Sequence, residues 1–223
     1  MGQVMRHFDE ILDIAADRKG GRGAILDGIE LPKSRDEIAA IPGDRFLASF
    51  AEGIFQTGLA WTVVKNKWPD IFEAFHGFDV GRVAMMSDDW FYDLVEDKRV
   101  IRSAPKIRAI QENAVMIQET GDFGAFIADW PTDDFAGLAL WLKKNGSRLG
   151  GSTGAYALRR LGVDSFLLSR DVVARLIAEG VIDKPPTSQK AMSAVQEAFN
   201  TWVEQSGRSL TEISRVLGQS IDA

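Results

Sequence analysis

Residues 46–78, FLASFAEGIFQTGLAWTVVKNKWPDIFEAFHGF, open with apolar side chains at helical spacing: Phe46, Leu47, Phe50 and Ile54. The same segment carries one acid, Glu52, and one amide, Gln56, four residues apart and so on one helical face. A Gly-Leu-Ala-Trp step, Gly58 to Trp61, follows, with small residues beside a large flat ring. An acid, an amide and an indole converging beside a close turn suit a pocket for a planar ligand. The plainer alternative is a solvated Glu52 and an ordinary core tryptophan. Beyond Trp61 the pattern predicts a loop over Lys65–Trp68, with Pro69 starting a short helix over Asp70–Phe75.

Outward from that stretch the chain repeats one rhythm. Val4, Phe8, Ile11, Leu12 and Ala15 predict an amphipathic helix over residues 1–18, and glycine-rich residues 19–34 predict a loop. The GGRG within it lacks a preceding strand and a Gly-Lys-Ser/Thr ending, which argues against a phosphate loop. Ser34 and Glu37 fit a capping box before a short helix ending at Pro42-Gly43. Asp79 and Ser87 are N-cap candidates, and Pro105 suits the first turn of a longer helix. Further helices are predicted over Asp122–Trp130, Asp134–Asn145 and Ala155–Leu161. Ser188–Trp202 and Ser209–Leu217 form a final pair. Their apolar positions (Met192, Val195, Phe199, Trp202, Ile213, Val216, Leu217) suggest packing on the main body. Period-2 alternation never persists, so the expected fold class is all-α.

Composition narrows the function. The 223 residues hold 45% hydrophobic and 26% charged side chains, normal for a globular protein. No apolar run approaches the roughly 20 residues of a membrane helix. The N-terminus lacks the build of a signal peptide. With no cysteine, disulfides and thiolate metal sites are excluded. A cytoplasmic protein with no metal, cofactor or membrane partner is the economical expectation. The net charge of −6 disfavours nucleic acid on average, but a DNA face needs only local basicity. No Asp or Glu lies between Asp134 and Asp164, a span holding Lys143, Lys144, Arg148, Arg159 and Arg160. Within it Gly150-Gly151-Ser152-Thr153-Gly154 turns between two helices, exposing N–H groups that suit a phosphate. A plain helix–helix turn is the alternative.

Residues 46–114 resemble DNA-3-methyladenine glycosylase I, of the helix-hairpin-helix glycosylase superfamily. The matching pieces are Gln56-x-Gly58-Leu-Ala-Trp61, Ile71-Phe-Glu-Ala-Phe75, Phe78-Asp79, Val83-Ala84, Val100-Ile101-Arg102, Lys106-Ile107 and Asn113-Ala114, with spacing kept. Weaker similarity continues through Phe123–Trp130 and Leu142–Gly146 to Gly151-Ser-Thr153, about half the chain in all. The resemblance implies a multi-helix glycosylase-like domain over 1–183, with a C-terminal helical extension, 184–223, packed on it. It implies a monomer acting on double-stranded DNA with alkylated bases. The reaction would be base flipping and hydrolysis of the N-glycosidic bond of an alkylated purine, 3-methyladenine first.

Trp61 matches the family's stacking tryptophan; Gln56 and Phe55 would line the base site. Gly151, Ser152, Thr153, Lys143, Lys144, Arg148, Arg102 and Lys106 would meet DNA. Lys98, Arg99 and Arg108 extend that basic cluster or form a solvated face. The family's pocket glutamate falls eight residues before the tryptophan, where this chain has Gly53. Either a local bulge restores the neighbouring Glu52, or the role has moved. Asp171 lies near the essential aspartate of other superfamily members; the alternative is a helix-start cap before Val172–Ile177. The family's zinc ligands include cysteines, which are missing here, and His7 and His76 fall outside their pattern. Gly150–Tyr156 contains no lysine, which disfavours Schiff-base strand cleavage. A non-catalytic DNA-binding relative is the second reading, and an interaction module built on the C-terminal helices the third.

Overall fold

The computed structural model describes residues 5–222. Fourteen α-helices and two 3-10 turns appear among them, with no strand, so the fold class is all-α as expected. Two compact units divide the chain: Met1–Lys33, Pro131–Leu138 and Asp164–Ala223 form one, Ser34–Trp130 and Ala139–Val163 the other.

The first unit contains α1 (Phe8–Lys19), α2 (Arg22–Leu26), α12 (Arg170–Ala178), α13 (Gln189–Ser206) and α14 (Leu210–Gln219). Of the helix expected over residues 1–18, Val4 lies outside the described residues, and the helix begins only after the His7 cap. The loop expected over 19–34 contains α2, nucleated by the burial of Ile25, whose helix packs on α1 and α14. Of the final pair, Val195, Phe199, Trp202, Ile213, Val216 and Leu217 are all fully or almost fully buried. They pack with α1 as well as with each other. The C-terminal helices α13 and α14 thus share one core with α1.

The second unit holds α3 (Arg35–Ala39), α4 (Gly43–Gln56), α5 (Trp61–Ala74), α6 (Val80–Ala84), α7 (Asp88–Glu96), α8 (Ala104–Thr120), α9 (Phe123–Ala128) and α11 (Ser152–Arg160). Helix α10 (Phe135–Asn145) gives its first turn to the first unit and the rest to this one. The caps are as the sequence indicates: a Ser34–Glu37 box on α3, Asp79 accepting from the Arg82 N–H, and Ser87 from the Trp90 N–H. Pro105 sits in the first turn of α8. Pro69 differs from expectation, since α5 runs through it. Pro69 is exposed, while Val64 and Ile71 are buried on the inner face. Trp68 stacks on Phe78 at 5.4 Å, and Phe78 stacks on Phe75 at 5.1 Å. Packing thus outweighs the hydrogen bond that proline removes.

Candidate functional site

Helix α4 sets the site from its last turn. It runs unbroken from Gly43 to Gln56, so no bulge re-aims Glu52. Gly53 is buried against α11, and a Cβ there would lie 3.1 Å from Arg160 Nη2 and 3.2 Å from Thr153 Cγ2. A glutamate at 53 would thus be driven into the hairpin helix. Glu52, one residue earlier, faces differently. Its Oε1 accepts from Gln56 Nε2 at 3.1 Å, and its Oε2 is 3.3 Å from Arg160 Nη1. Arg160 Nη1 also donates to Gln56 Oε1 at 3.1 Å, and Nη2 donates to the Ser49 carbonyl at 3.0 Å. Partial burial pulls the Arg160 guanidinium below its ordinary pKa, and Glu52 offsets part of that shift.

Trp61 begins α5 and is 58% exposed. Its ring meets Tyr156 edge-on, with centroids 5.9 Å apart at 81°. Tyr156 and Arg160 are four apart on α11 and share a face. Two contacts thus line up as a ladder along one face of α11: Trp61 beside Tyr156, and, one turn on, Arg160 beside the Glu52–Gln56 pair. Leu59 and Val63, two residues either side of Trp61 in the chain, are also exposed. A large exposed ring with apolar neighbours is the kind of surface a binding site leaves uncovered.

Helix α8 holds both turns of this ladder. Lys106 Nζ donates to the carbonyls of Phe55 at 3.1 Å and Thr57 at 2.6 Å, capping the C-terminus of α4. Seven residues on, two helical turns along the same face, buried Asn113 grips the hairpin turn. Its Nδ2 donates to the Ser147 carbonyl at 2.9 Å, and its Oδ1 accepts from the Ser147 N–H at 2.8 Å. Asn113→Ala leaves both Ser147 groups without that partner. It is expected to lower stability by about 1–3 kcal/mol in urea unfolding.

The hairpin turn exposes Gly151 and Ser152, and Gly151 takes a left-handed φ of 62° as N-cap of α11 with no side-chain cap. Thr153 is half-buried; Lys143, Lys144 and Arg148 are exposed around the turn, and Arg102 is exposed on its own loop. Two expected site residues lie elsewhere. Phe55 is fully buried against Phe75, so its ring is core and not a wall of the site. Lys106 has its ammonium directed at backbone carbonyls, and burial and Arg148 lower its pKa. It therefore supports the site from behind instead of offering a free charge.

Arg99 pairs with Asp97, and Arg108 lies 4.0 Å over the Phe91 ring, so both serve local structure. Asp171 sits in the first turn of α12, in the other unit from Glu52, and the cap of that helix is Ser169. Arg160, Tyr156 and Asn113 are the residues to which sequence reasoning assigned no site role. The acid-free span hinted at Arg160, and Asn113 stood only among the positions matching the family; nothing pointed to Tyr156.

No cluster of three or more His, Cys, Asp or Glu suited to a metal occurs among the described residues. With no cysteine in the chain, the zinc set of the family that Trp61 and its neighbours resemble does not fit. No helix among the described residues is long and apolar enough to cross a membrane.

The methyladenine glycosylase family profile matches residues 50–136. DNA-3-methyladenine glycosylase 1 of Escherichia coli is 32% identical over 124 residues, covering 46% of this chain and 66% of that protein. The match thus spans just under two thirds of that relative's length. The 3-methyladenine DNA glycosylase I of Staphylococcus aureus is 20% identical over 70% of this chain and 95% of that one, with a TM-score of 0.48. The 8-oxoguanine DNA glycosylase of Thermotoga maritima is 15% identical, covers 95% of both chains and has a TM-score of 0.49. The segment that carries Glu52, Gln56, Trp61 and Asn113 is thus the segment that matches the methyladenine glycosylase family model, and the chain is similar in part to DNA-3-methyladenine glycosylase 1.

Proposed function

We propose that this protein is a monofunctional DNA N-glycosylase of base-excision repair that releases alkylated purines, 3-methyladenine foremost, from duplex DNA. The observation that carries the reading is the exposed Trp61 ring, which meets Tyr156 on the face of α11 that also brings Arg160 to Glu52 and Gln56. A base swung out of its stack gains a stacking partner in the indole, and an N3-alkylated adenine adds cation–π attraction. In the reaction the C1′–N bond breaks and the base leaves with the bonding electrons. Water adds at C1′ and loses a proton. Because the alkylated base is already cationic in the nucleotide, its departure needs little acid assistance. The Glu52 carboxylate favours the positive charge that builds on the sugar.

Around the turn before α11, the exposed N–H groups and Lys143, Lys144 and Arg148 suit backbone phosphates. With no lysine over Gly150–Tyr156, the reaction stops at hydrolysis. Asp171 remains a proposed second acid. The protein is proposed to act as a cytoplasmic monomer without a cofactor.

Methylated duplex DNA incubated with the protein is expected to release free 3-methyladenine, read by chromatography and mass. The Arg160–Glu52 pair favours one rival, a non-catalytic binder whose carboxylate is already engaged. Damage-selective binding without release would establish that rival. An absence of DNA binding at low salt would remove both readings.

A further inference from the structure

We propose that Arg160 sets the charge preference of the site, as a positioning residue that offsets Glu52 and orients Gln56. This inference rests on the glycosylase reading and concerns which guests the site prefers.

A lone carboxylate at the Trp61 ladder would favour any cationic guest strongly, whether an alkylated base or a sugar with oxocarbenium character. Arg160 Nη1 lies 3.3 Å from Glu52 Oε2, so the pair presents a dipole and not a net charge. The field of a dipole falls faster with distance, and the advantage of a cationic guest over a neutral one shrinks. The pair is not sealed away, because the two side chains keep 30% and 27% of their accessible surface. Arg160 therefore stands at the rim, four residues along α11 from the tyrosine that contacts Trp61.

The same guanidinium fixes the amide. Gln56 Oε1 accepts from Arg160 while Gln56 Nε2 donates to Glu52. The reversed amide would set an NH2 group against a guanidinium and an oxygen against a carboxylate, so one orientation alone satisfies all three groups. Replacing Arg160 thus frees Glu52 electrically and frees the Gln56 amide to turn. The site with arginine in place accepts neutral purines alongside cationic ones. Without it, the site becomes a selective cation receptor.

Two duplexes serve as the test. One carries a pyrrolidine abasic analogue, a cation at the sugar position, and the other carries the neutral tetrahydrofuran analogue. The measurement is the ratio of their affinities by fluorescence polarisation. Arg160→Gln is expected to raise the ratio in favour of the cation about tenfold, the effect of one unit charge roughly 8 Å away at an effective dielectric of about 30. Arg160→Lys keeps the charge and is expected to keep the ratio of the parent protein. Glu52→Gln is expected to lower the ratio.

A purely structural arginine would weaken binding to both duplexes together and leave the ratio unmoved, which overturns the inference. So does an Arg160→Lys ratio that rises as far as that of Arg160→Gln. Failure of the unaltered chain to bind either duplex overturns the glycosylase reading, and this inference with it. An unmoved ratio in a protein that still binds removes the role of Arg160 alone.

Discussion

A Glu52→Gln protein is expected to fold as the parent does and to release alkylated base at least about a hundredfold more slowly. The amide oxygen can still face Arg160 Nη1, so the change removes the charge and the one acceptor that Gln56 Nε2 uses. Folding should hold because Glu52 lies at the surface end of α4 and not in its core, which is made by Phe46, Leu47, Phe50 and Ile54. What disappears is the one carboxylate of this ladder that can answer charge building on the sugar. Single-turnover release from methylated duplex, compared with Asp171→Asn, separates the two acids. Loss of release in Glu52→Gln with Asp171→Asn intact places the chemistry on α4. The converse result would move it to the first turn of α12 and leave Glu52 as a structural partner of Arg160.

Why the sequence points to Glu52 only loosely is a matter of what a spacing rule can see. Four-residue spacing places Glu52 and Gln56 on one face, and their hydrogen bond at 3.1 Å agrees. Counting back from Trp61, however, assumes a fixed length for the turn, and the Gly53 position then receives the role. The structure assigns Gly53 a different duty, close contact with Thr153 and Arg160. That duty depends on α11, about a hundred residues away. No local pattern could pair Arg160 with Glu52, because the two meet only when the hairpin packs on α4.

Local chemistry was more reliable where it acted alone. The box at Ser34, the caps at Asp79 and Ser87, and Pro105 in the first turn of α8 each depend on neighbours within a few residues. Pro69 and Phe55 misled for the opposite reason. Proline at 69 marks a helix start by propensity, yet the stack of Trp68, Phe78 and Phe75 holds α5 together across it. Phe55 sits next to Gln56 in sequence, but on a helix a neighbour points about 100° away. Its ring meets Phe75 while Gln56 meets Arg160.

The first unit offers the sharpest stability test, at Glu179. Its side chain is fully buried, and it accepts from the Arg6 backbone N–H at 3.0 Å, Arg6 Nη1 at 2.8 Å and Arg175 Nη1 at 3.1 Å. Arg175 in turn holds Ser220 through its Oγ and its carbonyl. One carboxylate therefore ties the segment before α1 to α12, and through Arg175 to the end of α14. Burial alone would raise the Glu179 pKa, but the bonds from Arg6 and Arg175 outweigh it and hold the value below the usual glutamate range. Glu179→Ala strands Arg175, which is itself almost fully buried. The expected loss is about 3 kcal/mol in urea unfolding at neutral pH, the low end for a broken buried pair because Arg6 is partly exposed.

The pH dependence follows from the lowered value. A carboxylate whose folded pKa lies below its unfolded one contributes its full stabilisation above the unfolded value. That contribution fades as pH falls through the folded value. The parent protein should therefore lose stability on acidification from this source, whereas Glu179→Gln, with nothing to titrate there, should show a flatter curve over the same acidic window. Equal slopes for the two proteins would mean that the charge on Glu179 does not hold the N-terminus to α12. The hydrophobic core of α1, α13 and α14 would then hold it alone.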